Sequence, residues 1–414
     1  MSQILSDAKK RIKEVRQKDV ELLVLKNDKP VESATVSFRM KNHQFLFGSH
    51  CYMYSRYKTQ AENDLFSELF VKMLNSTMMP FHWGEFEPRY HEYNEPYIST
   101  LISWAKKHNL KRKMHALIWH WVCPKWITYD SDIKERYTER ISHLMETYGD
   151  DFDFFDLANE TTTNDEFENP VAHWVKEYGP MNMLKFGSKL VRSYKPDAQL
   201  IYNDWNVHKD AYYNFLQEMR DNDIDVDILG VQSHQHVNVW TQEETMRVLD
   251  RAASFGWPLH FPECSFNSGI PDGETNFLEG GKKNKWIERE EDLYTQAENA
   301  RDFYTLVFSH PAVELLNWFD FTDHYWLGAP AGLVTDDLKV KPVYNALYDL
   351  IGREWHSDVD IATGTNGTCK ARLFCGNYDI TVDVNGEKTT VNQDILRERF
   401  YAGGGDPIRL TISL

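Results

Sequence analysis

Two glutamates, Glu160 and Glu263, stand where chemistry is possible. Each follows a short apolar run, 154–158 and 259–262, and neither has lysine or arginine beside it. The neighbouring strand-like runs end in Trp119 and His120 (with His115 just before), in Gln232, His234 and His236, and in Trp318 followed by Asp320 and Trp326. A lone glutamate at a strand end reads most simply as a surface charge or a helix-cap partner. Two of them facing one another among imidazoles, amides and indoles read differently. A carboxyl pair about 5–5.5 Å apart is what retaining glycoside hydrolysis requires, one group as acid/base and the other as nucleophile. An asparagine directly before the acid, such as Asn159, can hydrogen-bond a sugar hydroxyl as oxocarbenium character develops. Histidine and glutamine beside the nucleophile can hold its carboxylate ionised and correctly rotated.

Such groups need a scaffold that brings distant strand ends together. From about residue 45 the chain alternates apolar strands with helical patterns. The strand candidates are 45–48, 76–79, 113–119, 154–158, 200–203, 228–232, 259–262 and 313–318. Helical periodicity falls between them, for example over 95–108, 133–148, 181–194 and 241–255. Eight strands with intervening helices over roughly 310 residues is the count of a (β/α)8 barrel, whose catalytic groups come from the C-terminal strand ends. Before it, 1–18 reads as a helix with Ile4, Ala8, Ile12 and Val15 on one face, and 19–40 as short half-buried strands. The barrel is expected over 41–352. The final segment, 356–414, returns to period-two alternation with an Asn385-Gly386 hairpin signal. Neither β segment is large enough to stand alone, so the two are expected to share one accessory β-domain.

Composition narrows the partners. The 414 residues carry 46 Lys and Arg against 63 Asp and Glu, a net charge of −17, which argues against nucleic acid or an anionic membrane surface. Aromatic residues make up 14%, enough for sugar-stacking platforms as well as a large core. No run approaches the roughly 20 apolar residues of a membrane span, and the first 25 residues lack the pattern of a secretory leader. Five widely scattered cysteines suit reduced thiols, although Cys369 and Cys375 are close enough to leave a bridge open. The expectation is a cytoplasmic protein, or a secreted one if a leader has been removed.

Several ordered motifs resemble glycoside hydrolase family 10, best known for endo-β-1,4-xylanases, across roughly residues 41–352. His115 to His120 resembles the family's strand-three motif, and Phe155 to Glu160 its strand-four motif with Phe155 in place of the usual tryptophan. Tyr202 to Asn206, Gly230 to His234, His260 to Glu263, and Trp318 to Asp323 with Trp326 resemble the motifs of strands five to eight. The resemblance implies a retaining hydrolase cleaving β-1,4-xylosidic bonds in xylan or xylo-oligosaccharides, with Glu160 as acid/base and Glu263 as nucleophile. It further implies sugar-binding roles for His82, Trp83, His115, Trp119, Asn159, Asn203, Gln232 and His234. Trp318 would floor the subsite at the bond being cut, and Trp326 would cover it. No cofactor or metal is implied.

One departure stands out. After strand two the family carries a Glu-Asn-x-Met-Lys-Trp run, where this chain has Met78, Met79, Pro80, Phe81, His82 and Trp83. Three hydrogen-bonding groups that grip sugars on the non-reducing side are therefore replaced, which puts substrate choice in question. Loops over 161–170 and 271–285 are expected to border the mouth. Two rivals compete with the hydrolase: the same chemistry on another β-glycoside, and a non-catalytic carbohydrate-binding barrel. A third, a metallohydrolase built on His234 and His236 with Asp320 and Asp323, is disfavoured because such barrels place the His pair near strand one, which offers only His50. Cys264, beside Glu263, should point away from it by strand alternation and act as a buried structural thiol.

Overall fold

The computed structural model describes residues 2–275 and 284–414. Eight parallel strands close into a ring: Leu46–His50, Ser76–Pro80, Lys111–His115, Phe154–Asn159, Gln199–Asp204, Ile228–Val231 continued by Ser233–Gln235, Leu259–Phe266 and Val313–Trp318. Strand eight pairs with strand one, Trp318 opposite Ser49, so the barrel has no free edge. Helices cover its outside. Helix Ile133–Tyr148 shows why such segments form: Asp132 caps its N-terminus by accepting from Glu135 N, and Ile133, Tyr137, Ile141, Leu144 and Tyr148 bury one face.

Two expected strands end elsewhere. Strand three stops at His115, four residues early; beyond it Leu117 and Ile118 still donate to the Asp156 and Leu157 carbonyls of strand four, and Ile118 forms an isolated parallel bridge with Ala158. Strand seven runs on to Phe266, buried along its whole length.

The two flanking segments pair with one another. Strand Gln17–Lys26 lies antiparallel to Thr368–Phe374 and parallel to Ile408–Ser413. Strand Thr35–His43 lies between Asp358–Ala362 and Gly376–Val384, which turns back through Asn385 and Gly386 into Glu387–Ile395. Val20, Leu22, Val24, Val36, Phe38, Ile380 and Val382 alternate inward and join the same buried cluster as the barrel. The opening helix, Gln3–Val15, rests Leu5 and Ala8 on Leu306 of helix Glu290–Ser309. Arg16 donates to the carbonyls of Phe308, His310 and Val313, satisfying groups at and beyond that helix's C-terminus. All five cysteines are free thiols, Cys369 and Cys375 included.

Candidate active site

At the C-terminal mouth, the last residue of strand four, Asn159, delivers Glu160 in a left-handed backbone conformation (φ 56°). That conformation is unusual for a non-glycine residue and persists only where the surroundings enforce it. Here Glu160 N donates to the Asn203 carbonyl at 2.8 Å, and the Glu160 carbonyl accepts from Thr163 N and Oγ1. The turn lifts the carboxyl over the barrel rim. Its Oε2 accepts from Trp119 Nε1 at 3.2 Å and its Oε1 from Gln232 Nε2 at 3.0 Å.

Glu263 sits deeper, on strand seven, with about 4% of its surface exposed. Its Oε1 accepts from Asn203 Nδ2 at 2.7 Å and its Oε2 from His234 Nε2 at 3.1 Å, while His234 Nδ1 is engaged by Ser265 Oγ at 2.8 Å. Both ring nitrogens of His234 are thus committed to the carboxylate and the hydroxyl, leaving neither for a metal.

The two carboxyl groups share one amide bridge. Asn159 Oδ1 accepts from both Gln232 Nε2 (3.2 Å) and Asn203 Nδ2 (2.8 Å), so the order of contacts runs Glu160, Gln232, Asn159, Asn203, Glu263. Asn159 Nδ2, buried and without a protein partner among the described residues, remains as a donor. Gly230 makes room for this bridge, since a Cβ there would stand 2.4 Å from Asn203 Oδ1.

Electrostatics separates the pair. Burial, then the charge of Glu263, pushes the Glu160 carboxyl up to about 8, more than the Gln232 and Trp119 hydrogen bonds pull it down. Burial acts on Glu263 in the same direction. There it is outweighed by the His234 hydrogen bond and the positive fields of His115, His234 and Lys113, which bring the group down to about 2. Lys113 and His115 alternate inward on strand three and share Asp156 of strand four, Nζ at 2.8 Å and Nδ1 at 2.6 Å from Oδ2. At neutral pH one carboxyl is a proton donor and the other an anion.

Two expected contacts do not reach this mouth. Trp318 is fully buried, with its ring against Phe266 and Tyr304 and its N–H donated to the Ala331 carbonyl. It pairs with Cys264, whose side chain also faces the helical layer, so alternation carries both outward. Phe319 takes the inward place, with its ring 4.9 Å from His234 and 5.1 Å from His50. Trp83 likewise turns away: it donates to Glu87 at 2.8 Å and packs on Tyr137, because it opens a short helix, Trp83–Phe86, whose inner face is core. His82 does reach the site, 5.5 Å from His115 and 5.3 Å from Trp119 between ring centroids. Trp326 leans over it, 4.2 Å from His234 and 4.6 Å from His236, and Asp320 accepts from its backbone N–H.

A cleft of about 1210 Å³ opens from Glu160, Gln232, His234 and Trp326. It runs over the ends of strands four to six, with Trp121, Phe167, Trp205 and Trp240 as aromatic walls. Residues 161–166 form a 3₁₀ turn at its edge. Of the second expected border, 271–285, residues 276–283 lie outside the described residues. Sequence reading passed over Asp156, Lys113, Phe319 and Tyr52. Asp156, a charge inside the otherwise apolar run of strand four, was a legible signal.

The glycosyl hydrolase family 10 model matches residues 39–350. The chain belongs to this family. Among curated relatives, it is 24% identical over 285 residues to endo-1,4-beta-xylanase B of Thermotoga neapolitana, covering 65% of this chain and 78% of that protein. It is 23% identical over 405 residues to the anti-sigma-I factor RsgI6 of Acetivibrio thermocellus, covering 93% of this chain and 47% of that protein. The latter match must therefore extend into the flanking strands. Among solved structures, xylanase 10B of Thermotoga petrophila, determined with xylobiose, superposes with a TM-score of 0.59 at 20% identity. That superposition covers 75% of this chain and 95% of that one. A family 10 protein of Paenibacillus barcinonensis gives 0.61 at 17% identity, over 75% and 95% of the two chains. The family 10 member described here is a glycoside hydrolase on a (β/α)8 barrel carrying extra N- and C-terminal strands.

Proposed function

We propose that this family 10 protein hydrolyses β-1,4-xylosidic bonds in xylan or xylo-oligosaccharides with retention of configuration, Glu160 serving as acid/base and Glu263 as nucleophile. The observation that carries the proposal is the opposed protonation of two carboxyls joined by one amide bridge, the pattern by which environment assigns acid and nucleophile. In the first step a Glu263 oxygen attacks the anomeric carbon as the glycosidic C–O bond breaks, and Glu160 passes its proton to the departing oxygen. Esterification removes the negative charge of Glu263, one of the causes that raise Glu160, so Glu160 becomes a stronger acid and is left as the carboxylate. It then takes a proton from water, whose oxygen attacks the same carbon and frees Glu263. Asn159 Nδ2 supplies a donor for a sugar hydroxyl, and Trp119 and Gln232 hold Glu160 in place through both phases.

Xylan as substrate rests on the xylanases to which the chain is similar, together with an aromatic-walled cleft suited to the C–H faces of pyranose rings. The test is hydrolysis of xylan, glucuronoxylan, arabinoxylan, xylo-oligosaccharides and aryl β-glycosides by the wild type, Glu160→Gln and Glu263→Gln, with the first-formed anomer read by NMR. Xylose-containing products released first as the β-anomer, and lost in Glu263→Gln, are expected. Cleavage only of other glycosides would overturn the substrate, and first release of the α-anomer the mechanism.

A further inference from the structure

From Glu160 the cleft opens over strands four to six. On the side of strands one and two, buried side chains stand instead. Tyr52, just beyond strand one, has no exposed surface. Its ring stacks on His50 at 4.1 Å and meets Tyr325 at 5.6 Å and His82 at 6.0 Å. Tyr52, Met78 and Phe319 form a separate buried cluster with Tyr325 and Trp326 packed on it, and the Tyr97 hydroxyl donates to the Tyr52 carbonyl. Met78 and Met79 are fully buried and offer no polar group to a sugar.

Chemistry gives the two sides their meaning, on the reading of Glu160 and Glu263 proposed above. The leaving sugar must lie on the side of the acid that protonates it, and Glu160 lines the open cleft. The sugar under attack must lie over Glu263, among His82, His115, Trp119 and His234. A next sugar on its non-reducing side would have to pass through the Tyr52–Tyr325 wall. The Tyr52 hydroxyl at this wall is buried and has no partner among the described residues. Burial, followed by the charges of Tyr325 and Glu263, holds it protonated, so it is a hydrogen-bond donor at this wall.

We infer that the site accepts a single sugar on the non-reducing side of the cleaved bond, so the enzyme removes one unit at a time from non-reducing ends, with Tyr52 and Tyr325 as the stop. The Tyr52 hydroxyl binds the free hydroxyl that distinguishes a chain end from an internal unit. The aromatic cleft beyond Glu160 holds the rest of the chain as the leaving group.

The experiment uses xylohexaose carrying ¹⁸O at its reducing end, the same oligosaccharide blocked by a 4-O-methyl group at its non-reducing end, and an aryl β-xyloside. The wild type should shorten the labelled chain by one unit at a time, keep the label on the longer fragment and leave the blocked chain at least 100-fold slower. Tyr52→Phe, which preserves the ring packing, should lose 10-fold or more in kcat/KM on both the hexaose and the aryl xyloside, because each places a terminal sugar with that free hydroxyl over Glu263; an unchanged kcat/KM on both would overturn the role of the hydroxyl. Cleavage of the blocked chain at a comparable rate, or early release of internal fragments, would overturn the inference while leaving the hydrolase reading intact. If neither the aryl xyloside nor any oligosaccharide is cleaved, the hydrolase reading itself fails and this inference fails with it.

Discussion

His234 holds Glu263 from one side only: its Nε2 donates to Oε2 at 3.1 Å while Ser265 fixes the opposite ring nitrogen. Because that hydrogen bond is the largest of the causes that lower Glu263, its loss should be felt at this carboxylate first. His234→Ala should reduce kcat on an aryl β-glycoside by about 10²–10³, the usual cost of one preorganised donor. The acidic limb of its pH profile should move upward toward neutrality, while the circular dichroism spectrum stays unchanged.

The alkaline limb belongs to Glu160. With its carboxyl pushed up to about 8, kcat/KM should fall as pH rises through that region, because the proton needed by the leaving oxygen is gone. Glu160→Ala should lose this limb and retain measurable turnover only on substrates with activated leaving groups. Azide should restore the second step and give a β-glycosyl azide, detectable by mass spectrometry.

Stability should respond to the two glutamates with opposite signs. Glu160 is raised in the folded state from an unfolded value of about 4.3, so its contribution is fully present below that pH and is lost as pH rises through about 8. Glu160→Gln should therefore raise Tm relative to wild type, by an amount that grows between pH 5 and pH 8. Glu263 is depressed, so its contribution is present above about pH 4.3 and is lost as pH falls through about 2. Glu263→Gln should lower Tm at pH 6. Calorimetry of the three proteins across this range checks both signs.

The two tryptophans of the strand-eight region should separate by effect. Trp318→Ala removes a fully buried ring and should cost about 3–5 kcal/mol of stability in denaturant unfolding. Trp326 is half-exposed over His234 and His236, so Trp326→Ala should raise KM with little change in the unfolding midpoint.

The barrel was legible because its strands are apolar runs with helices between them; 313–318 and the helix 133–148 fall where periodicity places them. Glu160 and Glu263 were legible because strand ends of a barrel converge on one mouth. Trp318 was misplaced because a motif position was followed instead of strand alternation, although the same alternation that turned Cys264 from Glu263 turns its partner Trp318 as well. The amide bridge through Asn159 and Asn203 and the tyrosine wall were not legible. They depend on which rotamers meet across four strands and on a turn after strand one, which no local pattern encodes.

In the proposed mechanism Glu263 carries the sugar as a covalent intermediate. An aryl 2-deoxy-2-fluoro-β-xyloside with a good leaving group slows both steps but permits the first, so the glycosyl-enzyme should accumulate. Peptide mass mapping should then find the added fluorosugar on Glu263, with none formed in Glu263→Gln. Label on another residue, or turnover by single-step inversion without any adduct, would rule out Glu263 as the nucleophile.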